Sequence, residues 1–174
     1  YLQMGFEQRI RIIDTDRPKA ERVAEGLRAT AGEEVFHRAW TAFLYHEADK
    51  VYLLRYVRAG FTYKRAVAGM LAHQDVNPIM TANTYIEREA QHLRGFTRFS
   101  LMENGVYYSR IRPVNNVMPI LMPFFADRYN DQPFLIFDPV HKVAGVYPMA
   151  EWYLVYTEEI TLPEEAGDEA EWKV

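Results

Sequence analysis

Residues 87–147 read EREAQHLRGFTRFSLMENGVYYSRIRPVNNVMPILMPFFADRYNDQPFLIFDPVHKVAGVY, and just after Gly95 the hydrophobic period falls from about 3.6 residues to about 2. That change divides the chain into a helical half and a sheet half. Residues 96–102 and 106–112 are rich in aromatic and β-branched side chains, and Asn104-Gly105 between them is the strongest short-range hairpin signal. A two-residue turn there pairs Glu103 with Val106, Leu101 with Tyr108, Phe99 with Arg110 and Arg98 with Ile111, which mixes arginines and aromatics on both faces. Pro113 ends the second strand. Asn115-Asn116 can cap a helix through Val117, Ile120, Leu121, Phe124 and Phe125 toward Tyr129, with Pro119 in its first turn and Pro123 as a kink. Phe134-Leu135-Ile136-Phe137 is a short apolar run suited to a strand buried on both faces, and Asp138-Pro139 turns the chain back toward 143–147. Residues 152–156 add a last strand or helical turn.

Upstream the pattern is helical. Asp14, Thr15 and Asp16 offer caps before Pro18, and Ala20, Val23, Ala24 and Leu27 recur at helical spacing up to Gly32. Glu33-Glu34 opens a second helix whose stripe of Val35, Phe36, Ala39, Trp40, Phe43 and Leu44 suits a core. A third helix over 49–59 turns Val51, Leu54 and Val57 inward and stops at Gly60; a fourth covers 62–73. A fifth turns Tyr85, Ile86, Ala90 and Leu93 inward and is capped by Gly95. The expected fold is therefore α+β: an N-terminal helical cluster followed by a β-β-α-β-β antiparallel sheet unit. Residues 1–5 read as a tag remnant, 6–157 as one domain (6–95 helical, 96–157 sheet) and 158–174 as an acidic tail or linker.

A chain of 174 residues with 49% hydrophobic content can bury a real core. No apolar run approaches the roughly 18 residues of a membrane span, and no signal peptide is visible, so the expected location is cytoplasmic. With no cysteine, disulfides, thiolate nucleophiles and cysteine-held metals are excluded. The net charge of −4 conceals an asymmetry: residues 158–174 carry seven acids against Lys173, whereas 55–112 carry nine bases against four acids. That middle is the candidate electropositive surface.

Motifs that dictate a reaction are missing. Glu89 and His92 stand at i, i+3 as in carboxylate-bridged di-metal bundles, but no second pair accompanies them, and no metal or cofactor is expected. His37, His46, His73 and His141 read as ordinary surface or core residues. Ser100 and Ser109 lie outside any nucleophile elbow, and the glycines form no phosphate loop. What remains is a set of guanidinium groups interleaved with aromatic rings, suited to phosphates and unpaired bases: Arg94, Arg98, Phe99, Tyr107, Tyr108, Arg110, Arg112 and Arg128. A second set, Glu89, His92, Asn115, Asn116 and Asp138, would suit an enzyme acting on a nucleobase or nucleotide in a cleft between helices and sheet. A purely structural interaction domain is the third reading.

Several segments in order carry a family resemblance: Arg94-Gly95-Phe96-Thr97-Arg98-Phe99, Ile111-Arg112-Pro113, Phe125-Ala126-Asp127-Arg128, residues 134–138, Gly145-Val146-Tyr147 and, upstream, residues 14–23. Over most of 12–156 the chain resembles the bacterial family labelled probable DNA metabolism proteins. The resemblance implies a DNA-processing context, a radical-SAM partner encoded nearby and, in some relatives, fusion to a uracil-DNA-glycosylase-like domain; it implies no catalytic residue. Where that family commonly has histidines, this chain has Gln91 and Phe124. It also stops at Trp172-Lys173-Val174 where relatives continue into a basic end, as a trimmed fragment would. The expectation is thus an accessory module that binds single-stranded or damaged DNA, rather than an enzyme.

Overall fold

A computed structural model describes residues 15–46 and 50–161 of the chain. The 1–5 remnant and the acidic tail from 162 onward lie outside the described residues; of the tail, Glu158 pairs with Lys142 at 2.6 Å. Helix α1 (Arg17–Ala31) starts where Asp16 Oδ1 accepts the Lys19 N–H at 3.0 Å, with Pro18 in the first turn. It ends at Gly32, whose φ of 101° suits glycine. Helix α2 (Glu33–Phe43) follows at once, its first-turn acids facing the positive helix end. Helices α3 (Lys50–Tyr63) and α4 (Asn77–Phe96) complete the cluster.

Gly60 does not stop α3, contrary to the sequence expectation. A Cβ on Gly60 would lie 2.6 Å from Leu27 Cδ1, so glycine is used there to let α3 press against α1. The helix breaks instead at Lys64, φ 54°, and a single 3-10 segment, Lys64–Gly69, replaces the predicted fourth helix. The inward face of α3 is also rotated from the predicted one: Tyr56 and Ala59 are buried, whereas Val51 and Leu54 are exposed. The aromatic stripe of α2 divides, with Val35 and Leu44 buried and Phe43 more than half exposed. Gly95 lies inside α4, and Thr97 forms the cap, its N–H and hydroxyl both donating to Leu93 O at 2.9 and 2.6 Å.

Among the described residues the second half forms a five-stranded sheet in the order β1-β2-β3-β4-β5: Ser100–Leu101, Tyr107–Arg110, Phe134–Asp138, Val143–Tyr147 and Tyr153–Tyr156. With α5 (Met118–Arg128) it makes the predicted α+β architecture. One pairing corrects the expected antiparallel sheet: β2 and β3 run parallel, with Tyr107 opposite Phe134 and Ser109 opposite Ile136. The physical reason is α5, a crossover connection that returns the chain to the same end of the sheet before β3 begins. The hairpin register also differs by one residue. Leu101 pairs with Tyr107, because Glu103, Asn104 and Gly105 form a three-residue loop with Gly105 at φ 78°. That slip exchanges the two faces of the strand relative to the predicted pairing.

Two cores result. Leu27, Val35, Tyr56, Val67 and Ile79 fill the helical cluster, while Ile86, Met118, Leu121, Phe125, Phe134 and Ile136 fill the space between α4, α5 and the sheet. Helix α4 belongs to both, its first half to one and its second half to the other. The last turn of α4 is thereby held beside the last turns of α5.

Candidate functional site

That juxtaposition makes a groove of about 800 Å³ between the end of α4, the 97–99 linker, the end of α5 and residues 131–132. Arg94 projects into it from the last helical turn, Arg98 follows the Thr97 cap, and Arg128 ends α5. The Arg94 guanidinium lies 5.2 Å from the centre of the Phe124 ring, and that of Arg128 lies 5.6 Å from Tyr129. Arg128 Nε also donates to the Tyr129 hydroxyl at 3.3 Å, and a cation–π contact leaves a guanidinium's remaining N–H groups available to an acceptor. Among the described residues, none of the three arginines forms an ion pair.

Phe99 is a wall more than a platform. Its ring meets Phe125, Tyr129 and Phe134 nearly edge-on at 5.5, 5.8 and 5.7 Å, which ties the linker to the core beneath. Arg94, Arg98, Phe99 and Arg128 of the sequence-derived basic set therefore share one groove. The others lie along β2 and beyond it. Tyr107 packs toward α5 on the core face, whereas Tyr108 and Arg110 occupy the opposite sheet face, and Arg112 is exposed after the strand. Burial pushes the Tyr108 phenol above its ordinary pKa, with Arg110 opposing that shift. Phe124, Asp131 and Gln132 complete the groove and carry no sequence signal, since only the packing of α5 against α4 brings them there.

The second predicted set is partly assembled. Glu89 accepts hydrogen bonds from the Val114 N–H at 2.6 Å and from Asn115 N–H and Nδ2 at 3.0 and 2.6 Å. Asn115 Oδ1 in turn accepts the His46 N–H at 2.9 Å and lies 3.1 Å from His46 Nδ1. The Asn116 N–H donates to Leu44 O at 3.2 Å. The network thus ties the end of α2, the middle of α4 and the loop before α5, and it includes His46, which the sequence pattern alone marks as ordinary. Neither asparagine caps α5, whose N-cap is Val117.

His92 lies elsewhere, its ring 4.5 Å from that of exposed Phe96. Asp138 is at the end of β3 remote from the groove and fully buried. Its carboxylate accepts the N–H groups of Val140 and His141 at 2.9 and 3.2 Å and lies 2.6 Å from His141 Nδ1. Those bonds fix the β3–β4 turn. Among the described residues no group of three or more His, Asp or Glu side chains is placed to hold a metal ion.

A family model described as a domain of unknown function, DUF4130, matches residues 47–173. The chain belongs to the DUF4130 family. The groove, the sheet and both α4 and α5 lie within the DUF4130 span, whereas α1 and α2 precede it. Neither curated proteins nor solved structures give a match. No helix among the described residues is long and apolar enough to cross a membrane.

Proposed function

We propose that this DUF4130 chain is an accessory DNA-metabolism module that holds single-stranded or distorted DNA in the groove between α4 and α5. The observation that supports this reading is three arginines, Arg94, Arg98 and Arg128, that line one open groove without an ion pair among the described residues, Arg94 lying near the Phe124 ring and Arg128 near that of Tyr129. Guanidinium groups neutralise phosphates, and aromatic faces stack on unpaired bases irrespective of sequence. The resemblance to proteins encoded beside a radical-SAM protein supplies the working context: the module would present the strand, and the partner would perform the chemistry. Fluorescence anisotropy of a labelled single strand across a salt series tests the reading. Binding that weakens steeply with salt and is lost in the Arg94→Ala/Arg98→Ala/Arg128→Ala variant is expected. No binding at about 50 mM salt, or full binding by the triple variant, sinks it.

A further inference from the structure

Helix α1 carries an apolar stripe that the described residues cover only in part. Leu27 and Ala31 are buried, whereas Val23 and Ala20, one and two turns nearer the start of the helix, are exposed. Beside them on α2 run Phe36, Trp40 and Phe43 at i, i+4 and i+7, and Phe43 is more than half exposed. Together with Leu53 of α3 they wall an apolar groove of about 500 Å³, with Lys19 at the end where α1 begins. This groove lies on the helical cluster, apart from the arginine groove between α4 and α5. An open apolar surface of this kind marks a docking site.

The chain just ahead of α1 has the composition and the reach to fill it. Arg9-Ile10-Arg11-Ile12-Ile13, outside the described residues, alternates charged and β-branched side chains, and α1 begins at Arg17. In an extended segment that alternation puts Ile10 and Ile12 on one face and Arg9 and Arg11 on the other. We propose that residues 10–13 lie extended in the groove as an intramolecular strap, seating Ile10 and Ile12 against Val23, Trp40 and Phe43. The lengths agree: 10–13 spans about 10 Å when extended, and Lys19 to Leu27 spans about 12 Å along α1. Tethering decides the occupant. A segment joined to the groove's rim by a few residues is present at an effective concentration in the millimolar range, which a second copy or a separate partner at micromolar concentration does not match. Residues 162–174, also outside the described residues, hold five acids and no such alternation.

The test uses the full chain, which has no cysteine, so introduced pairs report on this contact alone. Ile12→Cys is combined with Val23→Cys, on the groove face of α1, or with Glu25→Cys, on its solvent face and about half a turn further on. Under mild oxidation at about 1 μM protein, the first pair should close an internal disulfide about tenfold faster than the second. Separately, Ile10→Asp/Ile12→Asp should lower the melting temperature by about 5 °C, because it removes the apolar face that the groove receives. Equal closure rates overturn the inference, since a loose tether reaches both faces of α1 alike. Disulfides between chains in place of the internal one overturn it in favour of a second copy. Should a cysteine variant misfold by circular dichroism, the aspartate variant decides: a melting temperature unchanged from the parent overturns the strap.

Discussion

Asn115 is held by Glu89 twice, through its backbone N–H at 3.0 Å and its side-chain Nδ2 at 2.6 Å. Because Asn115 is buried and also accepts from His46, the pair fastens the loop before α5 to the middle of α4. This contact sets how α5 lies against α4, and so it shapes the groove from a distance.

Removing that carboxylate should cost stability. Glu89→Ala leaves the buried Asn115 donors without an acceptor, which is worth about 2–3 kcal/mol. For a chain of this size the melting temperature should drop by roughly 5–10 °C. Glu89→Gln should fall between, since its amide can accept one bond but sets an N–H₂ group against the remaining donors. Thermal melts followed by circular dichroism check this; an alanine variant that melts within about 2 °C of the parent would show the network to be dispensable.

Gly145 reports on packing between α5 and the sheet. A Cβ there would lie 2.2 Å from Met122 Sδ and 2.7 Å from Met122 Cγ, with Met118 Sδ at 3.1 Å. Gly145→Ala should destabilise by about 1–3 kcal/mol through overpacking. In a Met122→Ala background the same change should cost less than about 1 kcal/mol, because the clashing atoms are gone. Urea unfolding of the four members of this cycle measures the coupling. Additive effects would mean that the two residues do not meet.

The positions of these elements are more legible in the sequence than their pairing. Asn104-Gly105 marks the hairpin, yet two- and three-residue loops share that dipeptide and both put the glycine at positive φ; the longer one is selected by Asn104, which is not at positive φ, and by the Met102 N–H bond to Val106 O at 3.0 Å. The β2–β3 direction is hidden for a related reason. A buried strand such as Phe134–Asp138 is apolar on both faces whichever way its neighbour runs. Gly60 looks like a stop because spacing alone does not separate a helix end from a close helix crossing; Leu27, distant in sequence, makes the difference. In the groove, Arg94, Arg98 and Arg128 stand out by charge. Phe124 and Gln132 do not, since their meaning depends on which helix end they face.

Tyr56 ties stability to pH. It is fully buried and its hydroxyl faces Arg38 without a hydrogen bond of good geometry, because that guanidinium is engaged by Ala68 O at 2.8 Å and by Glu34. Burial pushes the phenol above its ordinary pKa, and the weaker pull of the Arg38 charge does not reverse this. Below the ordinary value of about 10 both folded and unfolded chains hold the proton, and the full contribution is present. Above it the unfolded chain releases the proton first, so stability falls as pH rises. Tyr56→Phe should therefore stay within about 1 kcal/mol of the parent at neutral pH and lose stability less steeply above about pH 10. Urea midpoints measured at neutral and alkaline pH test this; a loss of more than about 2 kcal/mol at neutral pH would mean the hydroxyl has a partner after all.

The two faces of β2 separate the groove from the rest of the basic region. Arg98 lines the groove beside α5, whereas Arg110 projects from the sheet face opposite α5. If single-stranded DNA lies in the groove, Arg98→Ala and Arg128→Ala should each weaken binding about 3- to 10-fold. Each should also reduce the slope of log affinity against log salt by about 0.7 for every phosphate that is no longer neutralised. Arg110→Ala should do neither, although it removes the same charge from the same segment of sequence. The control isolates geometry from net charge, because long-range attraction alone would penalise all three substitutions alike at low salt. Anisotropy titrations at two or more salt concentrations decide the matter. An Arg110 variant as impaired as the Arg98 variant would move the binding face from the groove to the outer side of the sheet.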